Sequence, residues 1–256
     1  MSVSSSCFQS IHVLKKVLFC GLCLALPVQA QYMKPDFTEQ KIISEVHISA
    51  MPLNPDRRFG IGVKSYQASD YHRAAQIFLD LAKSGHKDSQ FYIAVMYDAG
   101  MGVEEDHIQS AMWYQKAAQN GHNEAQYNLA VAYATGEGMP RSMRKAIYWM
   151  KKSALGGNID SQYNLGLIYI LGQGVKTNPE EGIQWWRLAA RNGDVIAQYN
   201  LGMMYLQGRG VKTDICEASR WWLLAARKGF AQSVQALQNL KQQYSQYSCI
   251  NMVSVR

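Results

Sequence analysis

The chain has 256 residues, 48% hydrophobic and 18% charged, with a formal net charge of +7. That balance excludes a disordered or fibrous chain and leaves room for a substantial core. The positive excess is modest, and because the first thirty residues read as an export leader, a nucleic-acid partner is not expected.

At the N-terminus Lys15 and Lys16 precede an apolar run over residues 17–26, followed by Pro27 and Val28-Gln29-Ala30. A basic start, an apolar stretch of about ten residues and small residues at its end read as a cleaved secretory signal over residues 1–30. Crossing hydrocarbon takes roughly twenty apolar residues, so no transmembrane segment is expected once the signal is removed. Cys20 and Cys23 follow the bulky Phe19 and Leu22, which argues against a lipidated cysteine. Cleavage leaves Cys216 and Cys249 as the mature cysteines, and two thiols in an oxidising compartment point to one disulfide.

Residues 31–56 form an N-terminal arm outside the pattern that follows. Within it Thr38 can cap a short helix over 38–51, because Ile42, Val46 and Ala50 fall on one face. Residues 57–69, helical from Arg57 to Gln67, read as a capping helix over the open end of the array.

From Asp70 a unit of 36 residues takes over. Asp70, Asp106, Ser142, Asn178 and Asp214 recur at one position, and each can accept hydrogen bonds from the free N–H groups of a helix start. Gly85, Gly121, Gly157, Gly193 and Gly229 then end five first helices where a left-handed residue is needed. Second helices begin near Ser89, Ala125, Ser161 and Ala197 and stop at Gly100, Gly136, Gly172 and Gly208. Small residues at Ala94, Ala130, Gly166 and Gly202 allow close approach of another helix, and a column of Trp113, Trp149, Trp185 and Trp221 is expected to fill the core. Repeats therefore start near residues 70, 106, 142, 178 and 214 and run to 247, the polar, glutamine-rich last helix capping the array, with a tail over 248–256.

The repeats resemble the Sel-one-like repeat family, relatives of tetratricopeptide repeats, through Ala-Gln-Tyr-Asn-Leu-Gly at Ala197, Gly-x-Gly-Val at Gly172 and Gly208, and Trp-x-x-x-Ala-Ala-x-x-Gly at Trp185 and Trp221. The resemblance implies an all-α fold, a right-handed α/α superhelix (solenoid) of five helix-turn-helix repeats with capping helices, used as a protein-binding scaffold and, in many bacteria, exported. Cysteine-rich relatives linked to penicillin binding bridge each unit with a disulfide; this chain lacks those cysteines, and that activity does not carry over.

On the first helices one stripe lies outside the apolar arc. It contains Met112, Gln115, Lys116 and Gln119; Tyr148, Lys151, Lys152 and Leu155; Gln184, Arg187, Leu188 and Arg191; and Arg220, Leu223, Leu224 and Arg227. Seven of these are Lys or Arg and none is acidic. The family resemblance puts first helices on the concave wall, where such a stripe suits an acidic or amphipathic segment of another protein. The competing reading is a solvated face whose cations sit in last helical turns because the helix dipole favours them there. Asn128, Asn164 and Asn200 form a second candidate column, either gripping a bound backbone or bonding across to the neighbouring repeat, and Gln90, Gln126, Gln162 and Gln198 read as structural.

Catalytic patterns are sparse. His86 and His122 share a repeat column in a turn but have no cysteine or carboxylate partner at ligand spacing, so no metal or cofactor is expected. Ser84-Gly-His-Lys87 and Ser142-Met-Arg-Lys145 match a Ser-x-x-Lys motif, but no Ser-Asp-Asn or Lys-Thr-Gly follows, and Ser142 already serves as a helix cap. Cys216 starts the last first helix and Cys249 follows the helix that returns beside it, so their backbones are expected to meet. The expectation is a monomeric, non-enzymatic periplasmic scaffold that binds another protein and regulates or assembles an envelope or secretion complex. The alternatives are a secreted, host-directed factor and, more remotely, a cell-wall or penicillin-binding activity.

Overall fold

A computed structural model describes residues 54–251. The secretory signal over 1–30 and the arm up to residue 53 lie outside the described residues. The capping helix starts earlier than its sequence suggests: α1 spans Pro55–Gln67, with Pro55 in its first turn and the Asn54 side chain accepting from the Asp56 N–H at 3.0 Å. Proline loses nothing at a helix start, where its missing N–H would have had no partner.

Five pairs of helices follow: α2 (Tyr71–Lys83) with α3 (Lys87–Ala99), α4 (His107–Gln119) with α5 (Asn123–Thr135), α6 (Met143–Leu155) with α7 (Ile159–Leu171), α8 (Pro179–Arg191) with α9 (Val195–Gln207), and α10 (Ile215–Arg227) with α11 (Ala231–Gln243). A short α12 (Ser248–Asn251) closes the described chain, and no strand occurs among the described residues. Asp70, Asp106, Ser142, Asn178 and Asp214 each accept from an N–H of the helix that follows. Second helices begin two residues earlier than expected, because His86, His122, Asn158 and Asp194 occupy the capping position; each accepts from the N–H three residues on. The two histidines are therefore helix caps.

The loops out of α3, α5, α7 and α9 each carry two glycines with separate tasks. Gly136 adopts the left-handed conformation that ends α5, at φ 86°. Gly138 must be glycine for a second reason, since a Cβ there would collide with the His107 carbonyl at the start of α4. Glutamine ties each pair together from the other end. Gln90, Gln126, Gln162 and Gln198 donate from Nε2 to the carbonyls of Ala82, Ala118, Ala154 and Ala190 at 2.9–3.2 Å, satisfying acceptors that the last turn of the first helix leaves free.

Each helix packs on the helices before and after it in the chain, and a second helix makes more extensive contact with the next first helix than with its own partner. Buried side chains form clusters strung along the array, as expected of a solenoid. The expected tryptophan core needs correction. Trp113 is buried, but Trp149, Trp185 and Trp221 are only half-buried at the edge. One residue on, Phe78, Tyr114, Met150, Trp186 and Trp222 form the column that fills the interior. A single step turns a side chain about 100° around the helix, enough to move it from core to margin. The indole N–H groups of Trp186 and Trp222 donate to the Tyr163 and Tyr199 carbonyls at 3.0 and 2.9 Å. Gly166 and Gly202 are the residues on which those rings rest.

At the C-terminal end Leu237, Leu240 and Ile250 bury against Trp222, and Cys216 and Cys249 are disulfide-bonded with Cα atoms 5.7 Å apart. The bridge ties α10 to α12.

Candidate protein-binding face

The stripe on the first helices forms one continuous face because the repeat brings identical helix positions into register on α4, α6, α8 and α10. Lys116, Tyr148, Lys152, Arg191, Arg220 and Arg227 are exposed on it, and Lys151 and Arg187 are half-buried. Apolar side chains share the exposure: Met112, Tyr148, Leu155, Leu188 and Leu224 are 40–77% accessible. That apolar exposure recurs on each of these four helices rather than at a single position.

Aromatic rings organise the cations. The Lys116 ammonium sits 4.1 Å from the centre of the Trp113 ring, and Lys152 lies 5.1 and 5.2 Å from those of Tyr148 and Trp149. Trp113 and Trp149 thus each hold one cation of the face, by attraction between a cation and the ring quadrupole. Two residues of the face have acidic partners: Lys151 reaches Glu181 at 3.5 Å across the repeat boundary, and Arg220 reaches Glu217 at 2.6 Å on its own helix. A hydrogen bond to Tyr169, and then the charges of Tyr169 and Glu181, hold the Lys151 ammonium above its ordinary value against the opposing effect of burial. Among the described residues no carboxylate pairs with Lys116, Lys152, Arg187, Arg191 or Arg227.

Between α8 and α10 the face opens into a cavity of about 400 Å³ lined by Gln184, Arg187, Leu188, Arg191, Tyr205, Glu217 and Trp221. Arg187 donates to the Tyr205 hydroxyl at 2.7 Å and to Gln184 Oε1 at 3.1 Å, which fixes its guanidinium plane. Sequence reasoning named Arg187 and Arg191 but missed Tyr205 and Glu217. Tyr97, Tyr133, Tyr169 and Tyr205 do recur every 36 residues near the ends of second helices, a column that could have been read as the floor of the stripe.

The asparagine column is not part of this face. Asn128 and Asn164 are 7% and 0% accessible, out of reach of any partner. Asn164 donates to the Tyr127 hydroxyl of the preceding repeat at 3.3 Å, and Asn128 hydrogen-bonds the Tyr114 hydroxyl. Burial raises both phenols far above their ordinary value, so they stay neutral. Asn200, in the same column, is half-buried. The Ser142 hydroxyl accepts from the Lys145 N–H at 3.4 Å, and Ser84 donates to the Leu81 carbonyl at 2.7 Å. Among the described residues no group of three or more His, Cys, Asp or Glu is placed to hold a metal, and no helix is long and apolar enough to cross a membrane.

A family model described as Sel1 repeat matches residues 87–122, 123–158, 159–194 and 195–230. Its unit begins on a second helix and pairs it with the next first helix, the more extensively packed of the two pairings. Among solved structures the chain is similar to a Sel1 repeat protein from Oxalobacter formigenes, at 31% identity over 74% of each chain with a TM-score of 0.65. It is also similar to a protective antigen present in uropathogenic Escherichia coli strains and displaying an SLR fold, at 27% identity and a TM-score of 0.70. That match covers 75% of this chain and 41% of the antigen, so this chain corresponds to less than half of that protein. No curated protein matches the sequence significantly.

Proposed function

Because the chain belongs to the Sel1 repeat family, whose repeats mediate protein–protein interaction, we propose that it is an exported scaffold that holds another protein along its first-helix face. The observation that carries this reading is the continuous run of exposed cations and apolar side chains on α4, α6, α8 and α10, most of the cations without an acidic partner among the described residues. A face that alternates positive charge with apolar area is complementary to an acidic or amphipathic segment, with charge steering the encounter and apolar contact slowing release.

Export is supported by the leader pattern of residues 1–30 and by the Cys216–Cys249 disulfide, a bond that persists in oxidising compartments. On this reading the protein works in the periplasm of a Gram-negative bacterium, regulating or assembling an envelope or secretion complex. Its role is binding, not catalysis. The test is crosslinking in living cells with the wild type and with the Lys152→Glu, Arg187→Glu, Arg191→Glu triple variant. The variant is expected to keep its helical circular dichroism and lose its crosslinked partner; capture that survives the reversal refutes the reading.

A second reading, a host-directed secreted factor, is favoured by the likeness to the protective antigen of uropathogenic Escherichia coli. Finding the intact mature protein in culture supernatant and not in periplasmic extract decides for it.

A further inference from the structure

The gap between successive first helices recurs at each repeat boundary, and the chain fills it differently each time. Between α4 and α6, Lys145 lies 5.1 Å from the centre of the Tyr133 ring. Between α6 and α8, Lys151 and Glu181 bridge the gap at 3.5 Å, with Tyr169 beside the ammonium. Between α8 and α10 the equivalent residues are Arg187, Glu217 and Tyr205, yet Arg187 and Glu217 are not ion-paired. The cause lies three residues beyond the acid. Gln184 follows Glu181 and cannot neutralise it, so Glu181 reaches back to Lys151; Arg220 follows Glu217 and takes it at 2.6 Å within α10. Arg187 is left pointing its fork at Tyr205 and Gln184, and the cavity of about 400 Å³ stays open.

The open notch is a donor-rich site. Arg187 and Arg191 supply guanidinium N–H groups with no carboxylate partner among the described residues. Trp221, which lines the same cavity, has a buried indole N–H without a hydrogen-bond partner among the described residues. Buried donors without acceptors are costly, and a planar guanidinium fork matches a carboxylate in two-point geometry. Leu188 and Leu224 stand exposed at equivalent positions of α8 and α10, and Leu188 lines the cavity together with Trp221. Cations continue beyond the notch in both directions, to Lys152 and to Arg227, so an occupant following them passes through rather than ending there.

We infer that the notch between α8 and α10 is the specificity site of the face: it takes the side-chain carboxylate of one internal Asp or Glu in the partner segment, whose apolar neighbours lie on Leu188 and Leu224. This rests on the reading of the first-helix face as partner-binding.

Fluorescence anisotropy on the purified mature protein tests it with three labelled peptides of one leucine-flanked sequence. One carries a central Glu and an amidated end, the second a central Gln and an amidated end, and the third a central Gln and a free C-terminal carboxylate. The Glu peptide is expected to bind the wild type at least about tenfold more tightly than either Gln peptide. Arg191→Gln narrows that preference, Arg187→Gln with Arg191→Gln removes it, and Lys116→Gln, on the face but outside the notch, leaves it intact. Equal binding of the Glu and Gln peptides, a preference that survives the double variant, tightest binding of the free-carboxylate peptide, or no binding of any peptide each overturns the inference. If the inference falls while charge reversal still abolishes partner crosslinking in cells, the face stands without the notch; if crosslinking survives the reversal, both fall.

Discussion

His122 starts α5 with the lone pair of Nδ1, which accepts the Ala125 N–H at 3.2 Å, while its ring stacks on Phe91 with centroids 4.3 Å apart. Burial lowers its pKa from the ordinary 6.5, against the opposing pull of Glu124 and Asp88. A base whose folded pKa lies below its unfolded value binds its proton more readily in the unfolded chain. Its contribution to stability is therefore intact above about pH 6.5 and is lost as pH falls below that value. Protonation also removes the acceptor, and with it a cap worth about 1 kcal/mol. His122→Asn, which installs the residue found at the equivalent Asn158, is expected to match the wild type at pH 8 and to exceed it at pH 5, read by hydrogen exchange at the start of α5. Small residues can be tested in the same way. Gly202→Ala drives a methyl into the Trp222 ring and is expected to cost about 1–3 kcal/mol by thermal unfolding. Gly60→Ala, in α1 with nothing within 4 Å of the new carbon, is expected to stabilise by about 0.5–1 kcal/mol. A Gly202→Ala variant as stable as the wild type contradicts the packing described for the ring.

At the scale of the helix, most boundaries were readable because a boundary is a local event. Asp, Ser and Asn at first-helix starts and glycine at second-helix ends act on N–H and C=O groups within a few residues, and their recurrence every 36 residues makes each confirm the others. Starts of second helices were placed two residues late because histidine is an uncommon cap, although Asn158 and Asp194 stood in the same column. The tryptophan column was misplaced for a different reason: Trp185-Trp186 and Trp221-Trp222 are adjacent pairs, and only the neighbouring helix selects which member of each is buried. The disulfide belongs to this scale too. It closes a separation of 33 residues around α11, which corresponds to about 3–4 kcal/mol on the chain-entropy relation. Cys216→Ser with Cys249→Ser is expected to lower hydrogen-exchange protection in α10 and α11 while α2 to α5 keep theirs, because each helix makes most of its contacts with the helices next to it in the array. A uniform loss across the array is the result that contradicts a local role.

Over the whole molecule the proposed binding face is a sum over repeats, so its electrostatics are collective. Raising the salt concentration from about 0.05 to about 0.5 M shortens the range of exposed charges several-fold, and partner capture is expected to weaken accordingly while the helical signal persists. Capture indifferent to salt argues for a purely apolar surface. The cations of this face were legible in the sequence as a stripe free of acids, since a helix of 3.6 residues per turn assigns faces without knowledge of the fold. Asn128 and Asn164 obeyed the same arithmetic yet proved buried, because helical phase says which residues share a side and not what covers that side. By itself the sequence determined the repeat length, the helix count within each repeat, the first-helix caps and the turns, all of which depend on contacts a few residues apart. The tertiary structure alone decided which aromatic ring is core, which polar column is covered, and where the face opens, because those depend on the meeting of side chains some thirty residues apart. Glu181 bridges to Lys151 and Glu217 turns to Arg220, and the open cavity between α8 and α10 follows from that difference.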